Sequence, residues 1–172
     1  MKDVPVLTVG DIGAQAVQDL LDRYGLELVV SAPGTTIPGS YWGESEAGVI
    51  GTAVHVRPDT PVHSLLHEAC HVICMDAERR RSLERDAGGD DLEEAAVCYL
   101  QVLLADCLPG VGRRRLMQDM DQWGYSFRLG STQAWFADDA GDAADWLVRE
   151  GLLSADGTPI FRLRGEAQAT PG

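Results

Sequence analysis

The sequence predicts a single α+β domain, and three observations lead to that prediction. Its 172 residues lie within the size range of one domain, and a chain of this length buries roughly 70% of the surface that it exposes when unfolded. Extended, β-branched segments fall in the first third of the chain, whereas the middle shows the apolar spacing of three and four that is typical of helices. No internal repeat or linker divides residues 1–172, so we expect one domain.

The first third of the chain is predicted to combine a helix with strands. Residues 11–24 place apolar side chains on a helical period, and Gly25 supplies a C-terminal stop. Residues 26–30 predict a short buried strand. The segment 31–43 is rich in proline, glycine and hydroxyl side chains, which predicts a loop. Residues 49–57 return to an extended, β-branched pattern and predict further strand.

The best-marked helix of the sequence covers residues 61–76. Thr60 is placed to cap its N-terminus, and Pro61 stands at the first helical position, where a proline costs no hydrogen bond. We expect the helix to pack on the core, because its apolar side chains recur at intervals of three and four. These side chains are Val62, Leu65, Leu66, Ala69, Val72 and Ile73.

A second central helix is predicted from the acidic pair Asp90 and Asp91, either of which can cap it, to Cys107. Apolar side chains surround almost its whole circumference, as in a helix that is buried on most sides. The segment 78–91 between the two helices carries four arginines and two adjacent glycines. That composition predicts a charged helix end followed by a surface loop.

The C-terminal segment 112–165 is predicted to add helices and a short strand. Residues 113–122 and 138–150 have helical patterns, and the second of these is amphipathic. A turn then precedes a predicted strand over residues 160–163, and residues 165–172 are expected to fray.

Charge and cysteine usage limit the classes of partner and compartment. Acidic side chains outnumber basic ones by 27 to 14, a net charge of −13, which argues against nucleic acid and anionic membrane as partners. The four cysteines lie on predicted helices among apolar residues, so we expect packed thiols in a reducing compartment. The N-terminus has no apolar signal segment, and no run is long enough to span a bilayer. These features predict a cytoplasmic protein.

The chemistry of the sequence is concentrated in the motif His67-Glu68-Ala69-Cys70-His71. About one sequence in 200 of this composition would contain such a motif by chance. On a helix, two histidines four residues apart lie one turn apart on the same side, so both imidazoles can reach one metal ion. Glu68 lies roughly 100° further round, where it can hydrogen-bond a water activated at the metal. The motif therefore predicts a metal site with Glu68 as general base.

A catalytic zinc needs a third protein ligand and one open position. His71 is the last histidine of the chain, so the third ligand is a downstream carboxylate or an upstream histidine. Glu94 shares a narrow stripe of the second helix with Cys98, and a carboxylate on a buried helix needs a positive partner. Glu93 is the direct rival, since first-turn acids are also stabilised by the helix dipole. Three further candidates are weaker: Asp90, Asp91 and His55.

Other polar residues near the motif have ordinary structural interpretations. His63 lies four residues before His67 and could contact an oxyanion or the metal, but a solvated histidine in the first helical turn is the more common case. Tyr99 and Tyr125 could donate to an oxyanion, but buried tyrosines usually pack with one hydrogen-bonded hydroxyl. None of the three is predicted to be catalytic.

Two segments together resemble a known family. They are the motif from His67 to His71 and, 23 residues after it, the run Glu94-Ala-Ala-Val-Cys98. The chain resembles the gluzincin metallopeptidases of the thermolysin-like clan and, among small bacterial proteins, the ImmA/IrrE-type peptidases. The resemblance covers about residues 48–105. One departure is Cys98, at a position where thermolysin-like enzymes often carry an aspartate that supports a ligand histidine, so that support must come from elsewhere.

The resemblance implies a fold, a ligand set and an activity. The implied fold is a zincin-like domain, a minigluzincin, in which a small β-sheet packs on the HExxH helix beside a second buried ligand helix, with the metal-binding core at about 48–107. The implied ligands of one Zn²⁺ ion are His67, His71 and Glu94, with Glu68 as general base. The strand at about 48–57 corresponds to the edge strand along which such enzymes bind an extended peptide.

These features predict an intracellular, selective zinc metallopeptidase that hydrolyses a peptide or protein substrate. The alternative is a non-catalytic zinc-binding protein that acts as a regulatory or interaction module, in which the metal joins the two helices. A regulatory protein partner fits both hypotheses, whereas nucleic acid and membrane fit neither.

Overall fold

The sheet is small, and the computed structural model places it at one side of a mainly helical fold. The structure describes residues 5–40, 45–82 and 90–166, and over these residues it confirms the predicted α+β class. Its strands are β1 (Glu27–Val30), β2 (Gly48–Ile50) and β3 (Ala53–Val56). Its helices are α1 (Val9–Ile12), α2 (Ala14–Asp22), α3 (Val62–Cys74), α4 (Ala77–Ser82), α5 (Asp91–Leu104), α6 (Gly112–Trp123), α7 (Thr132–Asp138) and α8 (Gly141–Arg149).

The sheet has the order β1-β3-β2, in which β1 is parallel and β2 antiparallel to β3. The predicted stretch 49–57 is therefore two strands, joined by a tight turn in which Gly51 has a φ of 61° that favours glycine. β1 lies at an edge with Glu27 and Val30 exposed, so the prediction of a buried strand there is wrong. β3 is the central strand, so a peptide can be added only at the edges formed by β1 and β2.

The predicted helix over residues 11–24 is divided into α1 and α2. Thr8 caps α1, because its side chain accepts a hydrogen bond from the Asp11 backbone while Asp11 accepts one from the Thr8 backbone. Gly13 then adopts a φ of 90°, which a helix cannot accommodate, and α2 begins directly after it. The chain is therefore redirected at Gly13 within what the periodicity predicts as one helix.

Helix α3 is confirmed at the centre of the core. It begins one residue later than predicted, with Pro61 at the N-cap, while the Thr60 hydroxyl instead accepts a hydrogen bond from the Arg57 backbone. The helix packs against α5, α6, β2 and β3. Of all its residues, only His67 and Glu68 are not fully buried.

Helix α5 is also confirmed as a buried helix. Asp90 caps it, since its Oδ1 accepts a 2.7 Å hydrogen bond from the Glu93 backbone. The helix packs against α3 and α8 and ends at Leu104, after which Ala105–Cys107 form a 3-10 turn. The apolar pattern therefore predicts the helix correctly but places its C-terminal end one turn too late.

A buried ion-pair network fixes the start of α5 against two other segments. The carboxylate of Glu93, which is 3% exposed, accepts hydrogen bonds from Arg79 at 3.1 and 2.6 Å and from Arg164 at 3.1 Å. Arg79 lies on α4 and Arg164 near the end of the described chain. A buried carboxylate with two guanidinium partners is well compensated, so this network holds α4, α5 and the C-terminal segment together.

The C-terminal region departs from prediction in two places. Helix α7, which Ser131 caps, was not predicted. Residues 160–163 form no strand, because Phe161 has a φ of 63° that interrupts an extended chain; the pairing there is a single bridge between Leu153 and Pro159.

The remaining predictions concern loops and ends of the chain. The predicted loop over 78–91 begins as helix α4, and residues 83–89 lie outside the described residues, as do residues 167–172 of the predicted frayed end. Helices α6 and α8 match the predicted helices over 113–122 and 138–150. Within the described ranges, every helix is too short or too polar to cross a membrane.

Replacing Glu93 with alanine is expected to destabilise the metal-free protein by about 2–3 kcal/mol, because Arg79 and Arg164 lose the buried carboxylate that they share and that joins three segments. Urea unfolding in the presence of a chelator measures this free energy. Asp145→Ala, an exposed site on α8, serves as the control and should change the free energy of unfolding by less than about 0.5 kcal/mol. A loss below about 1 kcal/mol for Glu93→Ala would contradict the structural role of the network.

Candidate metal centre

The exposed face of α3 opens into a cleft of about 700 Å³. The cleft lies between the middle of α3, the first turns of α5 and the segment that follows α6. Acidic side chains and a run of aromatic ones, the aromatic wall, line it. The acidic side chains that line it are Glu46, Glu68, Asp91 and Glu94, and the aromatic ones are Trp123, Tyr125 and Phe127.

Three predicted ligands meet at the floor of this cleft. The Nε2 atoms of His67 and His71 lie 3.2 Å apart. The carboxylate of Glu94 reaches both, with Oε1 3.0 Å from His67 and Oε2 3.1 Å from His71. Helical spacing brings the two imidazoles together within α3, and the packing of α5 on α3 supplies the carboxylate.

The spacing of these atoms fits a small divalent ion. Tetrahedral bonds of about 2.0–2.1 Å put neighbouring ligand atoms about 3.3–3.4 Å apart, close to the 3.2 Å between the two imidazole nitrogens. Burial alone raises the pKa of Glu94, but hydrogen bonds from the two imidazoles outweigh it and hold that pKa well below its ordinary value. Burial lowers the pKa of His67, but its partners Cys98 and Glu94 more than compensate and raise it. The floor of the cleft therefore stabilises a positive charge beside Glu94.

Gln101 supports the imidazole of His67, a role that the aspartate often found at the position of Cys98 has in thermolysin-like enzymes. Its side-chain oxygen lies 3.1 Å from Nδ1 of His67, and its amide nitrogen donates to the backbone carbonyl of His63 at 2.8 Å. This second bond fixes which end of the amide faces His67, so Nδ1 of His67 donates to Gln101 and Nε2 is the nitrogen that would bind a metal once it loses its proton. His71 has no such support, since its buried Nδ1 finds no partner among the described residues.

Cys98 lies at the same site. Its Sγ and the ligand atoms of His67 and Glu94 all lie within 4.8 Å of one another, and this cluster could hold a metal ion. The sequence places Cys98 on the stripe of α5 that contains Glu94, one turn further along. Its thiol is thus a fourth candidate ligand beside the predicted three.

Glu68 lines the cleft next to the histidines without being part of their cluster. Burial raises the pKa of its carboxyl above its ordinary value, and the nearby carboxylates of Glu94 and Glu46 raise it further. Within the described part of the chain Glu68 makes no hydrogen bond or ion pair. It therefore presents an unpaired carboxylate to the cleft, which is the arrangement that a general base requires.

The structure places the rival candidates away from the metal ligands. Glu93 faces Arg79 and Arg164, Asp90 caps α5, and Asp91 lines the cleft with an exposed side chain. His55 lies on β3. Two further pairs of residues pack in the core or at its margin: Cys70 with Cys74, and Tyr99 with Phe136.

His63 is buried rather than solvated. Its Nδ1 lies 3.2 Å from the hydroxyl of Tyr125, and its Nε2 has no partner among the described residues. Burial lowers the pKa of His63 to about 3, so the imidazole is neutral, and burial raises the pKa of Tyr125 to about 12. An unpaired buried N–H is rarer than an unpaired acceptor, which favours a proton on Nδ1 that is donated to Tyr125. The Tyr125 hydroxyl is then free to donate its own proton.

Sequence reasoning missed Glu46 and the aromatic wall of the cleft. Glu46 accepts a 2.5 Å hydrogen bond from Ser64 on α3 and a 3.0 Å bond from the indole of Trp123. Gly124, whose φ is 112°, ends α6 and turns the chain so that Tyr125 and Phe127 follow into the cleft. The glycine after a helical pattern was the only signal for this turn, and it carries no information about the direction in which the chain continues.

Comparison of the chain with protein-family models, with curated proteins and with solved structures finds no match in any of the three. The function of the chain is therefore inferred from the residues of the cleft and their chemistry.

Replacing Glu94 with alanine is expected to abolish tight metal binding, because it removes the one anionic side chain shared by both histidines. Elemental analysis after dialysis should find about one metal ion per wild-type chain and almost none in Glu94→Ala. Asp91→Ala removes a cleft carboxylate from the same helix and should retain the ion. Full metal content in Glu94→Ala, or its loss only in Asp91→Ala, would contradict the ligand assignment.

Proposed function

We propose that this chain is a zinc-dependent metallopeptidase with a zincin-like fold, in which His67, His71 and Glu94 hold the ion and Glu68 acts as general base. The observation that carries the proposal is the position of Glu94, whose carboxylate lies within 3.1 Å of both motif histidines. The resemblance of the two helical segments to gluzincins supports the same ligands.

The donor set favours zinc over other common metals. Two imidazole nitrogens and one carboxylate are the ligands of a catalytic zinc that keeps a fourth position for water or substrate. Magnesium and calcium prefer sites made almost entirely of oxygen ligands. When bound, zinc supplies a Lewis acid that polarises a carbonyl and lowers the pKa of water toward about 7.

Glu68 moves the proton in the proposed reaction. Its carboxylate accepts a proton from the attacking water as the water oxygen bonds to the peptide carbonyl carbon. The same group then donates that proton to the amide nitrogen as the C–N bond breaks, so the products are a carboxylate and an amine. The raised pKa of Glu68 suits both steps, because it brings the group closer to the pH at which the reaction runs.

Tyr125 is placed to assist the carbonyl. Its ring lies against that of His67, with the centroids 5.8 Å apart, and it lines the cleft. With the hydrogen bond from His63 in place, the Tyr125 hydroxyl can donate to the oxygen on which negative charge develops during the attack.

Glu68→Gln is expected to lower peptide hydrolysis by 100-fold or more, about the contribution of one positioned acid–base group, while zinc stays bound. Turnover of an internally quenched peptide library and elemental analysis of the same sample measure the two quantities. Glu27→Gln, the same substitution at an exposed position of β1, should behave like the wild type. Undiminished hydrolysis by a zinc-loaded Glu68→Gln protein would contradict the proposal.

The second candidate function, a non-catalytic zinc protein, is favoured by one observation. The Sγ atom of Cys98 and the ligand atoms of His67 and Glu94 all lie within 4.8 Å of one another. A cysteine ligand would occupy the fourth position and close the site to water, as in structural zinc sites.

Replacing zinc with cobalt distinguishes the two functions. A thiolate ligand gives cobalt a strong near-ultraviolet charge-transfer band, whereas nitrogen and oxygen ligands do not. For a peptidase we expect no such band in the wild type and an unchanged visible spectrum in Cys98→Ser. A charge-transfer band that Cys98→Ser removes would instead support the closed, non-catalytic site.

A further inference from the structure

We propose that the cleft selects peptides that carry an arginine or lysine side chain, and that Glu46 and Trp123 form the subsite for that cation. The inference rests on the proposed function, since it names the substrate class of the same site. Four observations support it: how Glu46 is held, the charge of the cleft, its aromatic wall, and an arginine site built in the same way within this chain.

Glu46 is held in place by neutral donors only. Ser64 donates to one carboxylate oxygen at 2.5 Å and the indole of Trp123 to the other at 3.0 Å. Ser64 is itself oriented by the backbone N–H of Ala47, which donates to its hydroxyl at 3.0 Å. Within the described residues no arginine or lysine pairs with Glu46. Two oxygens offer about four acceptor positions, so a positioned carboxylate with acceptor capacity left over faces the cleft.

The cleft retains negative charge when its metal is bound. Among the residues that the structure describes, four carboxylates line it and no arginine or lysine does. A divalent ion cancels two of the four negative charges. Low-dielectric walls strengthen the attraction of a cationic group to such a cleft, and an acidic substrate would be repelled from it.

The aromatic wall offers the second half of a cation subsite. Trp123 is 45% exposed, although its indole N–H is bound to Glu46. Tyr125 and Phe127 stack beside it with centroids 6.4 Å apart. An exposed indole face next to a carboxylate attracts a guanidinium or ammonium group through its π electrons.

The same chain already binds an arginine with this combination. The Arg164 guanidinium lies 4.9 Å from the ring centroid of Trp146 and pairs with the carboxylate of Glu93 at 3.1 Å. Glu46 and Trp123 bring the same two kinds of group together in the cleft, here joined by the indole hydrogen bond, and no described residue supplies the cation there. We therefore assign the missing cation to the substrate.

The experiment compares arginine with citrulline, which has nearly the same shape and no charge. Internally quenched peptides carry one or the other at each position in turn, and kcat/KM is measured with the zinc-loaded protein. At one position we expect arginine to exceed citrulline by about ten-fold or more, as for a charged hydrogen-bonded pair. Glu46→Gln should lower that ratio by about five-fold or more, and the other cleft carboxylates and Trp123 account for any preference that is left. Asp145→Asn, the matched loss of an exposed carboxylate on α8, should keep the wild-type ratio.

A binding measurement separates failure of this inference from failure of the proposed function. Two zinc-loaded proteins are compared, Glu68→Gln and the double variant that also carries Glu46→Gln. Each is titrated with the labelled arginine and citrulline peptides, and fluorescence anisotropy gives each Kd. Equal kcat/KM and equal Kd for both peptides at every position would overturn the subsite and leave peptidase activity standing. An arginine preference that Glu46→Gln leaves undiminished would also overturn it. Absence of all cleavage would contradict the proposed function, and an arginine preference in Kd that Glu46→Gln removes would still support the subsite.

Discussion

The separation of two adjacent carboxylates on α5 is the constraint on which the rest of the site depends. Neighbouring positions of a helix point about 100° apart, so Glu93 and Glu94 cannot share one partner. Glu93 faces Arg79 and Arg164, while Glu94 faces the two histidines of α3. A buried carboxylate without a cation is costly, so the arginine network fixes the rotation of α5 about its axis. That rotation is what brings Glu94 to the metal ligands.

The sequence predicted local structure well and chain pairing poorly. Helices α3 and α5 follow from their apolar spacing, and α5 also follows from its cap Asp90. Two breaks depend on single φ angles: the division of the first helix at Gly13 and the break of the extended chain at Phe161. The spacing of apolar residues does not predict such angles. The parallel pairing of β1 with β3 joins strands more than twenty residues apart. Such pairing depends on how β1 packs on α2 and β3 packs on α3, and strand composition alone does not determine it.

The same difference between local and distant partners explains which parts of the site were predictable. His67 and His71 lie on one helix, so their spacing was sufficient to place both imidazoles together. The choice between Glu93 and Glu94 required the position of Arg164, which is 71 residues from Glu93 and lies beyond a segment that was predicted as strand. Gln101 lies about two turns after Glu94 on the same helix, but its role depends on a bond to the His63 carbonyl. Glu46 and Trp123 are 77 residues apart and meet only in the folded chain.

The burial of α3 determines the direction from which chemistry can occur. Every residue of that helix except His67 and Glu68 is buried, so the core covers the remaining sides of the metal ligands. A molecule that reaches His67 enters the cleft that the acidic side chains and the aromatic wall line. Trp123 links these two groups, because its indole donates to Glu46 and the segment after it carries Tyr125 into the cleft. Contact with His67 and contact with the Glu46–Trp123 pair are therefore coupled by geometry, as the proposed selectivity requires.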